Sequence, residues 1–184
     1  MYFEILKAVW VFLPAAIANS VPVVAKRYNW LVFLDKPLDM GSRLGGKRIL
    51  GDHKTWRGLI LGVLAGMLTA VLQQQIALNN STVSSLSIIE WELHSPLVIG
   101  ALMGFGALFG DAAKSFLKRR LNIKPGDTFI FFDQVDYILG ALLFLSLKIP
   151  LTNLPIITIM LTWTALHLIS TITAWKVGIK EKAI

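Results

Sequence analysis

Residues 154–175, LPIITIMLTWTALHLISTITAW, decide the fold class, because His167 is the one ionisable side chain in this long apolar stretch. A helix needs roughly 20 mainly apolar residues to cross the hydrocarbon core of a bilayer, which is about 30 Å thick. The stretch meets that length, and it therefore predicts a membrane-spanning helix.

Four further apolar runs extend the pattern through the rest of the chain. Three of them carry no charge, at 8–25, 58–78 and 95–110. The fourth, 137–147, reaches spanning length only if its helix begins near Phe129, which places Asp133 and Asp136 inside it. We therefore predict an all-α polytopic membrane protein with about five transmembrane helices, forming a single domain over residues 1–184.

The overall composition agrees with this interpretation. Hydrophobic residues make up 55% of the chain and charged residues only 16%, although the formal net charge is +7. The basic excess therefore lies in the connections between spans, whereas a soluble nucleic-acid-binding domain spreads it over a solvated surface, and we expect no nucleic-acid partner. The absence of cysteine excludes disulfides and thiolate metal sites.

Basic residues concentrate in two connections and the C-terminal tail. Segments 26–57, 114–124 and 176–182 hold 16 of the 18 Lys and Arg residues, whereas the connection 79–94 holds none. Short cytoplasmic connections of membrane proteins are enriched in Lys and Arg. With five spans, both charged loops and the C-terminus lie on one side, which we predict to be the cytoplasmic face of the cell membrane, with the N-terminus outside.

The second charged loop begins where the third span ends. If that helix continues past Gly110, then Asp111, Lys114, Ser115 and Lys118 share one face through steps of three and four residues. This pattern predicts a polar helix face at the cytoplasmic edge of the membrane.

Three carboxylates, those of Asp111, Asp133 and Asp136, border apolar spans on this side. Acidic side chains near a bilayer are costly unless they are paired, solvated or bound to a cation, and they mark function by default. Hard oxygen ligands suit Mg²⁺, which takes one or two carboxylates together with substrate phosphates. Nearby Lys and Arg neutralise phosphate oxygens. The alternative is a set of salt bridges that fixes helix ends.

The first charged loop, 26–57, is long for a connection without function. Its GGKR sequence at 45–48 combines an amide-rich turn with cations, which suits phosphate oxygens. Thr55 is placed to cap the second helix. By itself the loop is better explained as a positive-inside anchor or a contact with anionic lipids.

A family resemblance joins the two loops. The KSFLKR sequence at 114–119, then Lys124 and Gly126, then DQVD at 133–136, resembles the signature of the CTP:phosphatidate cytidylyltransferases. The chain departs from it in having Pro125 after Lys124, in lacking a His-Gly-Gly turn, and in having Gln134 where Arg is usual. With the GGKRILGDHKTWRG sequence at 45–58, it resembles the archaeal branch of that family, the CDP-archaeol synthases.

This resemblance implies a reaction. The phosphate of an isoprenoid diether glycerol phosphate (2,3-bis-O-geranylgeranyl-sn-glycerol 1-phosphate) would attack the α-phosphorus of CTP and release pyrophosphate, with Mg²⁺ as cofactor. The lipid chains would lie in a groove between helices, and the glycine-rich helix faces also fit a homodimer.

The resemblance also implies roles for particular residues. The catalytic residues would be Lys114, Lys118 and Asp133. The metal ligands would be Asp111, Asp133 and Asp136, directly or through water. The nucleotide and phosphate groups would contact Gly45, Gly46, Lys47, Lys54, Thr55, Arg57, Ser115, Arg119, Lys124 and Gly126.

Two other function classes fit the sequence less well. The CDP-alcohol phosphotransferases also use aspartates and Mg²⁺, but their pattern has an Ala-Arg pair and a closing Asp-x3-Asp, whereas this chain closes with Asp-x2-Asp at 133–136. A small transporter would place polar residues at mid-membrane and show internal symmetry, whereas the polar groups here lie at one face.

Overall fold

The structure is a computed structural model that describes residues 2–123 and 132–176. Within these residues the helices, in chain order, are α1 (Tyr2–Arg27), α2 (Trp56–Asn79), α3 (Ser81–Ser84), α4 (Pro96–Arg120), α5 (Phe132–Leu145) and α6 (Ile156–Lys176). Short 3-10 turns lie at Val32–Leu34 and Leu151–Asn153, and a small hairpin consists of β1 (Arg43–Leu44) and β2 (Lys47–Arg48). The predicted all-α membrane architecture is confirmed.

Four of the described helices are long and apolar enough to cross a membrane, namely α1, α2, α4 and α6. The predicted fourth span corresponds to α5, which has 14 residues in the described part of the chain. Its first turn contains Asp133, and Asp136 follows within the same helix, as the sequence predicted. The predicted start of this span near Phe129 lies outside the described residues.

Helix α4 lies at the centre of the bundle and packs against α1, α2 and α5. Glycines make these contacts close. A methyl group on Gly66 of α2 would lie 2.7 Å from the carbonyl oxygen of Gly100, and one on Gly140 of α5 would overlap the carbonyl oxygen of Gly106. Small residues at four-residue spacing allow helix backbones to approach each other in lipid, and the sequence correctly indicated this use.

A second part of the core, built from aromatic side chains, joins α1 to α5 and α6. The Phe12 ring lies 6.0 Å from the Tyr137 ring and 5.6 Å from the Trp163 ring, measured between centroids. The indole Nε1–H of Trp163 donates a 3.0 Å hydrogen bond to the carbonyl oxygen of Ala8. This hydrogen bond gives the buried indole N–H a partner, and it holds α6 beside α1.

The connection between α1 and α2 folds around Asp39. Its carboxylate accepts hydrogen bonds from the Arg48 guanidinium at 2.7 and 3.3 Å and from the backbone N–H groups of Leu50, Gly51 and Gly41. Only 2% of the Asp39 side chain is exposed. Burial alone would raise the pKa of Asp39, but these hydrogen bonds outweigh it and hold the pKa well below its usual range.

Helix α2 begins at the end of this loop. The hydroxyl oxygen of Thr55 accepts a 3.2 Å hydrogen bond from the backbone N–H of Gly58. Such a cap satisfies one of the unpaired amides at a helix start, and the predicted cap is confirmed. The capped start brings Lys54, the residue just before Thr55, against α4.

Candidate active site

The polar face predicted on the third span exists because α4 continues past Gly110 as far as Arg120. The side chains of Asp111, Lys114 and Lys118 lie along this extension and border one polar cavity. The continuation costs little, because Lys, Ala, Leu and Arg are good helix formers.

Lys114 lies at the centre of an ionic cluster that joins α4 to α5. Its ammonium is 3.2 Å from a carboxylate oxygen of Asp111, 3.1 Å from one of Asp133 and 2.8 Å from one of Asp136. The side chain of Lys114 is 14% exposed and that of Asp136 only 6%. The three acids singled out in the sequence therefore converge on a single ammonium group.

Two more lysines complete the cluster. The Lys118 ammonium lies 2.9 Å from Asp133, one residue after the start of α5. Lys54, from the first charged loop, forms an ion pair with Asp111. The structure thus brings together residues from both loops that are far apart in sequence, and it does so at one end of the bundle.

A polar cavity of about 500 Å³ opens beside this cluster. Six of its fourteen lining residues are Lys or Arg and two are Asp, with apolar and uncharged groups between them. The residues lining it are Lys47, Arg48, Leu50, Gly51, Asp52, His53, Lys54, Asp111, Lys114, Ser115, Lys118, Arg119, Asn122 and Ile123. A cavity of this size and charge suits a polyanionic ligand such as a nucleotide.

A second cavity of about 440 Å³ lies between α1, α2 and α4. Its wall is largely apolar and includes Pro22, Leu59 and the rings of Phe105 and Phe109. It shares four residues with the polar cavity, Leu50, His53, Lys54 and Asp111. An apolar cavity therefore meets a cationic one at the Lys54–Asp111 ion pair.

Arg57, which was predicted to bind phosphate, lies away from both cavities. It is 3% exposed, pairs with Asp35 at 3.0 Å and donates to the carbonyl oxygen of Trp30. Buried and bonded in this way, Arg57 holds the first charged loop against the start of α2.

Of the predicted glycines and hydroxyl residues, some border a cavity and others do not. Gly45 and Gly46 form the turn of the hairpin, both with positive φ, and do not line either cavity. Thr55 borders the apolar cavity. Ser115 borders the polar one and donates to the carbonyl oxygen of Asp111 at 3.0 Å. Lys124 and Gly126 lie outside the described residues.

The carboxylates bear on the Mg²⁺ prediction. Among the described residues, no three carboxylate, imidazole or thiolate groups stand close enough to hold a metal ion by themselves. The Lys114 ammonium instead lies where Asp111, Asp133 and Asp136 converge. The donor set still suits Mg²⁺, because these are hard oxygens beside a cavity sized for the phosphates that supply its other ligands. The metal assignment stays a prediction.

Sequence reasoning missed three residues of this region. Leu50 and His53 border both cavities, and Arg120 bonds the hairpin to the end of α4. The position of His53 directly before Lys54 was the available signal. Arg120 gave none beyond its place in a basic run, because its partners lie more than seventy residues away.

Known proteins are similar to this chain over nearly its whole length. The family model described as "CarS-like: CDP-archaeol synthase" matches residues 1–183. The CDP-archaeol synthase of Archaeoglobus fulgidus is 39% identical over 183 residues, covering 96% of each chain. That of Halobacterium salinarum is 36% identical, covering 95% of this chain and 94% of the relative.

A solved structure is similar as well. It is described as "Structural insight into an intramembrane enzyme for archaeal membrane lipids biosynthesis" and is 35% identical, with a TM-score of 0.69. The match covers 91% of this chain and 94% of that one. With the ionic cluster and the paired cavities at one end of a membrane bundle, these similarities mean that the chain belongs to the CDP-archaeol synthase family.

Proposed function

We propose that this protein transfers a cytidylyl group from CTP to the phosphate of an unsaturated isoprenoid diether glycerol phosphate, and that it needs Mg²⁺. The observation that carries the proposal is the junction of a cationic cavity with an apolar one at Lys54 and Asp111. The reaction joins a highly charged nucleotide to a lipid, and so requires both kinds of surface within reach of one point.

The nucleotide triphosphate is assigned to the polar cavity. Lys47, Lys54, Lys118 and Arg119 border it and supply positive charge, and Arg binds phosphate oxygens with two parallel hydrogen bonds. The isoprenoid chains are assigned to the apolar cavity, whose aromatic and aliphatic wall offers favourable burial. The lipid phosphate would then lie at the shared boundary near Lys54.

The proposed chemistry is a single displacement at phosphorus. An oxygen of the lipid phosphate forms a bond to the α-phosphorus of CTP, and the bond from that phosphorus to the bridging oxygen of the β-phosphate breaks, releasing pyrophosphate. The nucleophile is already ionised, so no general base is required. The chain's task is to hold two anions together, and Lys54, Lys114 and Lys118 reduce their repulsion.

Mg²⁺ would be held by Asp111, Asp133 and Asp136 together with the phosphates. When bound, it would neutralise the charge that develops on the leaving pyrophosphate. The cluster as it stands has three carboxylates and three lysines. Its ion pairs balance formally, so Mg²⁺ would add to the positive charge that Lys47 and Arg119 offer a triphosphate.

The orientation in the membrane belongs to the same proposal. CTP is a cytoplasmic metabolite, so the polar cavity must open to the cytoplasm. The excess of Lys and Arg in both charged loops supports that side. The N-terminus, at the far end of α1 from these loops, then lies outside.

The direct test is turnover by the purified protein in detergent with the lipid phosphate. Pyrophosphate should be released from CTP with Mg²⁺, should fall to background when EDTA removes the metal, and should be far slower with ATP, GTP or UTP. Release of CMP from an added CDP-alcohol, with no pyrophosphate released from CTP, would favour a CDP-alcohol phosphotransferase. Turnover that survives EDTA would overturn the cofactor assignment.

Variants test the acids. Asp133→Asn and Asp136→Asn should each lower kcat at least about a hundredfold, as expected for groups that organise charge at a reacting phosphate. Glu92→Gln is the matched control, because Glu92 is exposed on the connection at the opposite end of the bundle. Full activity in both Asp variants would mean that these acids serve only as ion-pair partners.

A further inference from the structure

The hairpin of the first charged loop is bonded to the end of α4 by one side chain. The Arg120 guanidinium donates to the carbonyl oxygen of Leu44 at 2.5 Å, to that of Arg48 at 2.8 Å and to that of Lys47 at 3.2 Å. In return, the Lys47 ammonium donates to the carbonyl oxygen of Arg120 at 3.1 Å. Both strands of the hairpin are therefore joined to one residue.

The chemistry of these bonds depends on arginine. Its planar guanidinium presents five donors in a rigid fork, so one side chain can reach three carbonyl oxygens on two strands. The group lies over the Phe116 ring, 5.2 Å from the ring centroid, which limits its rotation. A lysine has one nitrogen at its end, and that nitrogen cannot span the same acceptors.

The hairpin needs such support. Each strand has two residues, joined by Gly45 and Gly46, and an isolated two-stranded hairpin is marginally stable in water. Lys47 and Arg48 extend from this hairpin to the wall of the polar cavity. The placement of Lys47 at the cavity thus depends on the contact that Arg120 makes with the hairpin.

We infer that Arg120 is a positioning residue for the nucleotide: it fixes the β1–β2 hairpin so that Lys47 presents its charge to the triphosphate. The inference rests on the proposed function. Arg48 has independent support from Asp39 and Asp52, so the loss of Arg120 acts chiefly through Lys47.

Steady-state kinetics test the inference with CTP and the lipid phosphate varied separately. Arg120→Ala should raise the KM for CTP about tenfold, leave the KM for the lipid unchanged and change kcat less than about threefold, the pattern of lost substrate binding. Arg120→Lys should recover only part of this loss. Arg43→Ala is the matched control, because it removes an exposed charge from the same hairpin without touching Arg120.

A double-mutant cycle separates positioning from direct contact. If Arg120 acts through Lys47, then Arg120→Ala adds little to the KM effect of Lys47→Ala. Full additivity would mean that Arg120 contacts the nucleotide itself and would overturn the inference. An equal rise in both KM values, with a lower unfolding midpoint, would reduce Arg120 to a general structural role and overturn it too.

Limited trypsin digestion reports on the hairpin without any turnover. Arg120→Ala should speed cleavage within 43–48 at least about fivefold over wild type, because local opening exposes the backbone, while Arg43→Ala should not speed cleavage after Lys47 or Arg48. Unchanged cleavage in Arg120→Ala would refute the hairpin contact. If wild type turns over no CTP but cleavage does accelerate, the proposed function fails, and the hairpin contact stands without its nucleotide role.

Discussion

At the residue scale, Lys114 is a largely buried ammonium group that pairs with three carboxylates. Its ammonium balances carboxylates from two helices while its side chain is 14% exposed. Removing one partner from a buried ion pair leaves an uncompensated charge, which costs far more than the pair itself contributes. Asp133 also pairs with Lys118 and Asp111 with Lys54, so Asp136 depends most on Lys114 within the described residues.

This dependence predicts the behaviour of Lys114→Met. The variant should lose about 3–5 kcal/mol of unfolding free energy, the usual cost of breaking a buried pair, and all measurable turnover. Adding Asp136→Asn should restore part of the stability, because the stranded charge is removed, but none of the activity. Unfolding midpoints in detergent measure the first effect. A double variant no more stable than Lys114→Met would show that Asp136 is not the stranded charge.

Asp39 gives a prediction about pH. Its folded-state pKa lies below the ordinary value of 3.8, so its stabilising contribution is complete above that value and is lost as the pH falls toward the lower folded-state pKa. The difference in unfolding midpoint between wild type and Asp39→Asn should therefore be constant from about pH 7 to pH 5 and shrink below about pH 4. A difference that stays constant down to pH 3 would contradict the contribution of the charged form.

The residues of the site were predictable to different degrees. Asp111 and Lys114 followed from helical spacing, which is local information. Asp39 and Arg120 did not, because most of their partners are amide and carbonyl groups of the loop backbone. Those groups have no sequence identity of their own, so their arrangement becomes visible only once the loop has folded.

At the element scale, the contact between α4 and α5 determines whether the acids meet. Gly110 directly precedes Asp111, and a methyl group on it would overlap the carbonyl oxygen of Asp136. A methyl group on Gly140 would overlap that of Gly106. The same glycines that let the helices touch therefore bring the carboxylates of both helices to Lys114.

Gly110→Ala and Gly140→Ala should accordingly separate α4 from α5 and lower kcat at least about tenfold, since a displacement of about 1 Å at a catalytic site can cost a hundredfold. Gly104→Ala, on the same helix but facing α1 and α2, meets its neighbours at 3.2 Å and beyond and should have a smaller effect. Pyrophosphate release measures all three. Equal losses in the three variants would show only a general packing defect.

The helices themselves differed in predictability. The four long spans were read from uninterrupted apolar runs, and the structure agrees. Helix α5 was harder, because its first turn has a carboxylate that lowers the hydropathy of the segment. The physical reason is the ionic cluster: an acid is tolerated at the start of an apolar helix when an ammonium group from the neighbouring helix neutralises it.

At the scale of the whole molecule, both charged loops lie at one end of the bundle, and the connection between α2 and α4 lies at the other. The chain contains no cysteine, so a single introduced cysteine reports one position without background. Ser84 and Arg43 are both exposed, one at each end. The two positions form a matched pair for topology.

In intact cells, a membrane-impermeant maleimide should label Ser84→Cys and should label Arg43→Cys only after permeabilisation. This result follows from the excess of basic residues in the loop that contains Arg43. The reverse pattern would place the polar cavity outside the cell, away from CTP, and would contradict the proposed orientation.

The boundary shared by Leu50, His53, Lys54 and Asp111 also bears on how turnover ends. Under the proposed function, pyrophosphate returns to water through the cationic opening, whereas the nucleotide-bearing lipid departs sideways into the leaflet. The two products thus have separate exits, and each enters the phase in which it is soluble. On that proposal no isoprenoid tail would have to cross an aqueous interval, and lipid would reach the site by diffusion in two dimensions.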